Sequence, residues 1–431
     1  MSRHFISLLS FSRFGAGVSN MVYAGTLPFL LQEWDMSGME AGSVQSAFNV
    51  CYACSLLVCS WAADRIGPRK IFATANWLTA AMLIACALFA RSYESGLILF
   101  GLLALALGGS YTPAIMLVAQ ELPSNERGRA VGMLLTGSSL GYFFAIACCA
   151  GLAPAWGYAP LWLALSVIPV FSAIAGTFAT ATTSDSKLQH SMPPVADAKA
   201  VLSRKSTLLT IGYTAHCWEL LGMWAWTPAF LAFAFADRVN LSPLMIGVVI
   251  AGALHISGAL ATLFGGWASD RWGQRAVLLG MAAAGAILSL VVGWTAPLPP
   301  VAVAAIVFLY GFAALGDSGV LSSAMADAVA PGQLGRMLAL RSILGFGAGA
   351  ISPAAFGWVL DLTNAPGHPP SQWGWAFAML GGGGVVAITA AFLLKPSNAN
   401  SRQTDGAQYA SDSHALPIKR THELRSTSDR T

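Results

Sequence analysis

Twelve apolar runs, each long enough to cross a lipid bilayer, follow one another through this chain of 431 residues. A spanning helix needs about 20 mostly apolar residues, and it must satisfy its own backbone hydrogen bonds because lipid offers none. The runs fall at 9–31, 41–62, 71–90, 96–119, 130–152, 158–180, 208–233, 244–267, 275–295, 300–325, 338–360 and 373–394. The first is too long for a secretory leader, and it holds Asn20 and Pro28 in a pattern that partly recurs later, so it reads as a helix. Composition agrees. Only 10% of the residues are charged and 56% are hydrophobic, whereas a soluble domain carries about 25% charged residues. A disordered chain, a secreted disulfide scaffold and an ordinary cytosolic enzyme are excluded. All seven cysteines lie inside apolar runs, and Cys51-x-x-Cys54 has no second pair or His cluster at zinc spacing. They read as small packing residues, and no cofactor or metal is expected. The net charge of +4 comes from short clusters without interleaved aromatics, which sets nucleic acid aside as a partner.

Two stretches are polar enough to be aqueous. Residues 181–206 read as a linker after six spans, and the Ser-, Arg- and Asp-rich residues 396–431 as a disordered tail. The expected division is therefore a six-helix bundle at 1–180, the linker at 181–206, a second six-helix bundle at 207–395, and the tail. Assigning alternate loops to opposite sides puts 21 of the 23 Lys and Arg on one side, with only Arg91 and Arg238 on the other. Basic residues near helix ends mark the cytoplasmic side. Both termini are thus expected in the cytoplasm, with the chain in the inner (plasma) membrane. Arg13, near the start of the first run, is expected to snorkel to that surface, and Arg341 is counted among the short-loop basic residues.

The halves repeat weakly at an offset near 206. Ser60-x-x-x-Asp64-Arg65-Ile66-Gly67-Pro68-Arg69-Lys70 after the second run matches Gly266-x-x-x-Asp270-Arg271-Trp272-Gly273-Gln274-Arg275 after the eighth. Pro123 through Gly132, which includes Arg129, echoes Pro331 through Ala339, which includes Arg336. With these motifs the chain closely resembles the major facilitator superfamily of secondary transporters, whose loop pattern is G-x-x-x-D-R/K-x-G-R/K-R/K. Ser60, Pro68 and Gln274 depart mildly from it. The resemblance implies an all-α membrane protein of two pseudo-symmetric six-helix bundles, with a substrate site near the midplane between them. In the motif itself, Gly67 and Gly273 suit a tight turn. Asp64 and Asp270 can meet Arg or a helix N-terminus. Together with Arg65, Arg69, Arg271, Arg275, Arg129 and Arg336 they make either a cytoplasmic latch between the halves or a topology anchor.

Ionisable residues at membrane depth are costly and mark function by default. The seventh run places His216 and Glu219 three residues apart, on one helical face. Glu219, about halfway through, can load a proton from one side and release it to the other as its exposure alternates. Asp317 lies past the middle of the tenth run, with Tyr310 on its stripe and Ser110 as its repeat partner; His255 in the eighth run pairs in the repeat with Asn49. Each reads either as a proton or solute site or as an interhelical hydrogen-bonding group. Asn20, Tyr23, Tyr213 and Trp218 are weaker cavity candidates. With no Lys or Arg expected in mid-span, and Asn49 and His255 where nitrate porters of the superfamily carry arginines, inorganic anions are disfavoured. The fifth run lacks the G-P-x-x-G-G ending of drug antiporters. The expected function is therefore proton-coupled symport of a small organic solute by a monomer in the bilayer. Proton-coupled metabolite or drug efflux is the alternative. A membrane sensor or enzyme on the same fold has no motif to support it.

Overall fold

The computed structural model describes residues 2–181, 183, 203–236, 238–329, 333–365 and 368–395. The expected linker, apart from its ends, and the expected tail lie outside the described residues. Among the described residues there are fourteen helices and no strand. In the first half these are α1 (Ser2–Glu33), α2 (Gly38–Ile66), α3 (Pro68–Phe89), α4 (Tyr93–Gly108), α5 (Thr112–Glu121), α6 (Ser124–Trp156) and α7 (Tyr158–Thr180). In the second half they are α8 (Arg204–Phe235), α9 (Pro243–Trp272), α10 (Gln274–Val292), α11 (Pro300–Gly316), α12 (Ser318–Ala326), α13 (Leu334–Thr363) and α14 (Gly374–Leu393).

Local chemistry sets the boundaries. Ser37 and Glu40 form a capping box at the start of α2, and Ser242 caps α9 ahead of Pro243. Gly67 and Gly273, at φ 112° and 84°, each end one helix and begin the next. A side chain at positive φ would be strained, so glycine is what permits these one-residue turns.

Among the described residues eleven crossings are long and apolar enough to span a membrane on their own composition; α8 is not among them. Its run is diluted by His216, Glu219 and Thr227, yet these are all buried, as is most of the helix. A helix screened from lipid by its neighbours need not be uniformly apolar. Two of the expected twelve spans are broken. The fourth interrupts at Gly109–Tyr111, between α4 and α5, and the tenth at Asp317, between α11 and α12.

The packing repeats. In the first half α1 lies against α6 and α7, α2 against α4, and α3 against α4 and α7; in the second, α8 lies against α13 and α14, α9 against α11, and α10 against α11 and α14. Across the halves α2 meets α13, α6 meets α9, and α1 meets α8. Close approaches between the halves sit opposite the terminal face, which carries the start of α1 and the end of α14; this opposite side is here called the far face. There Gly38 abuts Gly357, Gly42 abuts Pro353, and Gly247 abuts Ala147, contacts that a Cβ would obstruct. Asp361 on α13 accepts hydrogen bonds from the backbone N–H groups of Gly38 (2.6 Å) and Met39 (2.8 Å), capping α2 from the other half.

Candidate functional site

Two arginines lie buried where the halves face each other, each over a tyrosine ring. Arg13 on α1 is 4% exposed. Its Nη1 donates to Ser110 Oγ (2.6 Å), its Nε donates to Ser138 Oγ (3.2 Å), and its guanidinium lies 5.3 Å from the Tyr111 ring centre. Snorkelling does not occur: the serines, 97 and 125 residues away, supply acceptors inside the bundle. Tyr52 and Tyr142 stand within electrostatic reach of the same cation. Arg341 is not a loop residue either. It lies within α13, 7% exposed, 4.0 Å above the ring of Tyr213 on α8. Tyr213 in turn neighbours Tyr111 of the first half. Neither arginine stands at mid-span, but the expected snorkelling of Arg13 and the loop position of Arg341 are both replaced by burial inside the bundle.

Toward the far face, Tyr142 of α6, Trp224 of α8 and His255 of α9 form a three-ring cluster, with centroids 5.7–6.1 Å apart. The indole N–H of Trp224 and Nε2 of His255 are buried without a hydrogen-bond partner. Asn49, the repeat partner of His255, accepts from Gln45 on its own helix (3.2 Å).

The buried acids of the second half lie next to the second arginine: the His216 ring stacks on Tyr213 with centroids 6.0 Å apart, within electrostatic reach of Arg341. His216 Nδ1 lies 2.8 Å from Asp317 Oδ1 inside the second half. Glu219, 6% exposed, directs its carboxylate toward Gly285 of α10 and neighbours Tyr310, leaving Oε1 without a partner. Tyr310 donates to Ser289 (3.2 Å). A small cavity of about 10 Å³ adjoins Asp317 between α8, α10, α12 and α14, close to the size of one water.

Other named residues separate from these groups. Tyr23 is buried and donates to the carbonyl of Ala41 (2.8 Å), tying α1 to α2, while Asn20 is half-buried. Trp218 lines an apolar groove of about 550 Å³ between α8, α13 and α14. In the loop motif, Asp64, Asp270, Arg271 and Arg129 are exposed, and neither aspartate makes an ion pair among the described residues. Arg65 covers the Trp61 ring (4.1 Å), Arg69 donates to the carbonyl of Thr183 (3.1 Å), and Arg275 donates to that of Phe392 (2.9 Å). The side chain of Arg336 lies outside the described residues.

Sequence reading missed Arg341, Tyr52, Tyr111, Tyr142 and Trp224 as site residues. One usable signal was that Arg13 aligns with Glu219 at the repeat offset, so the halves carry opposite charges at matching positions.

Comparison with known proteins places this arrangement. A "Probable 4-methylmuconolactone transporter" of Cupriavidus pinatubonensis (strain JMP 134 / LMG 1197) is 27% identical over 319 residues, 71% of this chain and 72% of that one. A 4-hydroxybenzoate transporter of Acinetobacter baylyi (strain ATCC 33305 / BD413 / ADP1) is 22% identical over 314 residues, 64% and 67% of the two chains. Among solved structures, a nucleoside transporter superposes with TM-score 0.74 at 16% identity over 90% of this chain and 98% of that one. A D-xylose–proton symporter gives 0.71 at 15% identity over 91% and 98%. These structures share the fold. The profile of the Major Facilitator Superfamily matches at residues 9–236 and again at 213–426, and the chain belongs to that superfamily of transporters.

Proposed function

We propose that this protein carries a small organic acid into the cell together with a proton, by alternating access of a site between its two halves. The observation that carries the reading is the buried His216–Asp317 pair, with Glu219 beside it, inside the second half. Such groups are expensive in a membrane, and where they are kept they mark proton or solute pathways by default. The pair can release or take up a proton as its exposure changes, and Glu219 supplies a second carboxyl within reach. The solute class is supported by the relatives, which are named for a methylmuconolactone and for 4-hydroxybenzoate. It is also supported by the tyrosine and arginine side chains at the centre.

On this reading both termini and the loop motifs face the cytoplasm, in an inner membrane, and one chain suffices as a monomer because both halves of the site come from it. The latch aspartates make no ion pair among the described residues and the far face is held by Asp361, an arrangement suited to a state closed to the outside. The test is uptake by proteoliposomes carrying the purified protein with a pH-sensitive dye inside. Adding 4-hydroxybenzoate or cis,cis-muconate outside should bring solute and acid in together, abolished by a protonophore when accumulation is uphill. Accumulation that instead requires an outward-directed solute exchange, with protons moving oppositely, would establish the efflux alternative.

A further inference from the structure

Arg341 is a buried cation without a counter-anion. Its Nη2 donates to Ser322 Oγ at 3.3 Å, while Nε and Nη1 have no hydrogen-bond partner. No carboxylate pairs with it among the described residues. Asp317 is engaged by His216, and Glu219 turns toward α10. Arg13, across the interface, is held by the neutral hydroxyls of Ser110 and Ser138. Two guanidinium groups therefore stand inside the protein, one from each half, each backed by a tyrosine face and neither neutralised. A buried unpaired charge is strongly unfavourable and calls for an opposite charge or a dense set of acceptors. Arg13 has acceptors. Arg341 does not.

We propose that Arg341 is the receptor for the substrate's carboxylate, and that the substrate is a flat, unsaturated or aromatic carboxylate whose skeleton lies beside the rings of Tyr213 and Tyr111. The argument for a carboxylate is geometric and electrostatic. A guanidinium presents planar, directional donors that match two carboxylate oxygens, which a lysine does not. The argument for a flat skeleton is that Tyr213 and Tyr111, one from each half and both only half-buried, stand beside the guanidinium and present aromatic surface to whatever sits on it. This inference rests on the transport reading above and narrows its solute class.

The test is binding by the purified, full-length protein, measured by isothermal titration and thermal stabilisation, because a ligand of the native state raises its stability by mass action. The probes are 4-hydroxybenzoate and its uncharged counterpart 4-hydroxybenzamide, with sulfate as an inorganic anion. The carboxylate should bind at least about tenfold more tightly than the amide, the size expected for hydrogen bonds to a charged group, and sulfate should not compete. Arg341→Gln should remove that preference, and Arg341→Lys should retain part of it. If Arg341→Gln does not fold, the carboxylate–amide comparison on the native protein and Arg341→Lys still decide. Equal binding of acid and amide, no binding of the acid, or full affinity in a folded Arg341 variant overturns the proposal. Carboxylate binding that depends on Arg341 without proton-linked uptake in proteoliposomes would defeat the transport reading and leave this one standing.

Discussion

His216 Nδ1 lies 2.8 Å from Asp317 Oδ1, at the point where the tenth span breaks between α11 and α12. The first half has the corresponding feature: Arg13 of α1 donates to Ser110, inside the break between α4 and α5. Each broken helix is thus held by a basic side chain from the first helix of its own half. The chemistry differs. Arginine stays charged at any physiological pH and serine stays neutral, so the first hold is permanent. A histidine–aspartate pair is protonated and deprotonated far more readily, so the second can be made and broken.

That asymmetry gives the first prediction. Asp317→Asn should uncouple the protein, with downhill solute exchange retained and proton movement lost, while Ser110→Ala should lower stability without changing the proton-to-solute ratio. Dye-reported proton flux alongside radiolabelled solute flux measures both. An unchanged ratio in Asp317→Asn would make the pair a packing feature.

Glu219 supplies the second prediction. Glu219→Gln preserves shape and hydrogen bonding but has no proton to release. In proteoliposomes it should abolish solute-driven proton movement and uphill accumulation, while exchange between equal solute pools persists. Uphill accumulation by the mutant under an imposed pH difference would make Glu219 structural.

The far-face closure gives a third. Asp361 caps α2 across the halves, and Gly357 lies where a Cβ would strike the Gly38 carbonyl. Asp361→Ala removes two charge-assisted bonds at an exposed site, worth about 1 kcal/mol after allowance for solvent, which shifts the closed-to-open ratio about fivefold. Gly357→Val should shift it further. Spin labels at Ser37 and Asn364 should report a longer distance in both variants. An unchanged distance distribution in Gly357→Val would mean this contact does not set the closed state.

The fourth concerns the loop motif. Asp64→Asn is expected to weaken the state in which the terminal face is closed, leaving binding intact and slowing turnover. Distances between labels at Ser60 and Gly266, the repeat-related ends of α2 and α9, should then favour separation throughout the transport cycle. Unchanged turnover and distances would leave Asp64 a topology anchor.

What the sequence determined alone is what depends on local and cumulative properties. Apolar runs place helices in lipid because an unsatisfied backbone is intolerable there, and the glycines at 67 and 273 appear as turns because both stand at positive φ. Repeated motifs at one offset announced two like halves, and these pack alike. Only the tertiary structure decided where a long side chain goes. An arginine one or two turns inside a span can reach water along its own helix or turn inward. Arg13 turns inward because Ser110 and Ser138, on two other helices, bring acceptors to it. Arg341 turns inward onto the Tyr213 ring. The same holds for the acids. Glu219 and Asp317 occupy spans in any reading, but that they gather with His216 inside the second half, one tyrosine ring away from Arg341, follows from how α8, α10 and α11 meet. Hydropathy is a sum along one segment, whereas a charge's partners come from segments far away in the chain, and only packing brings those together.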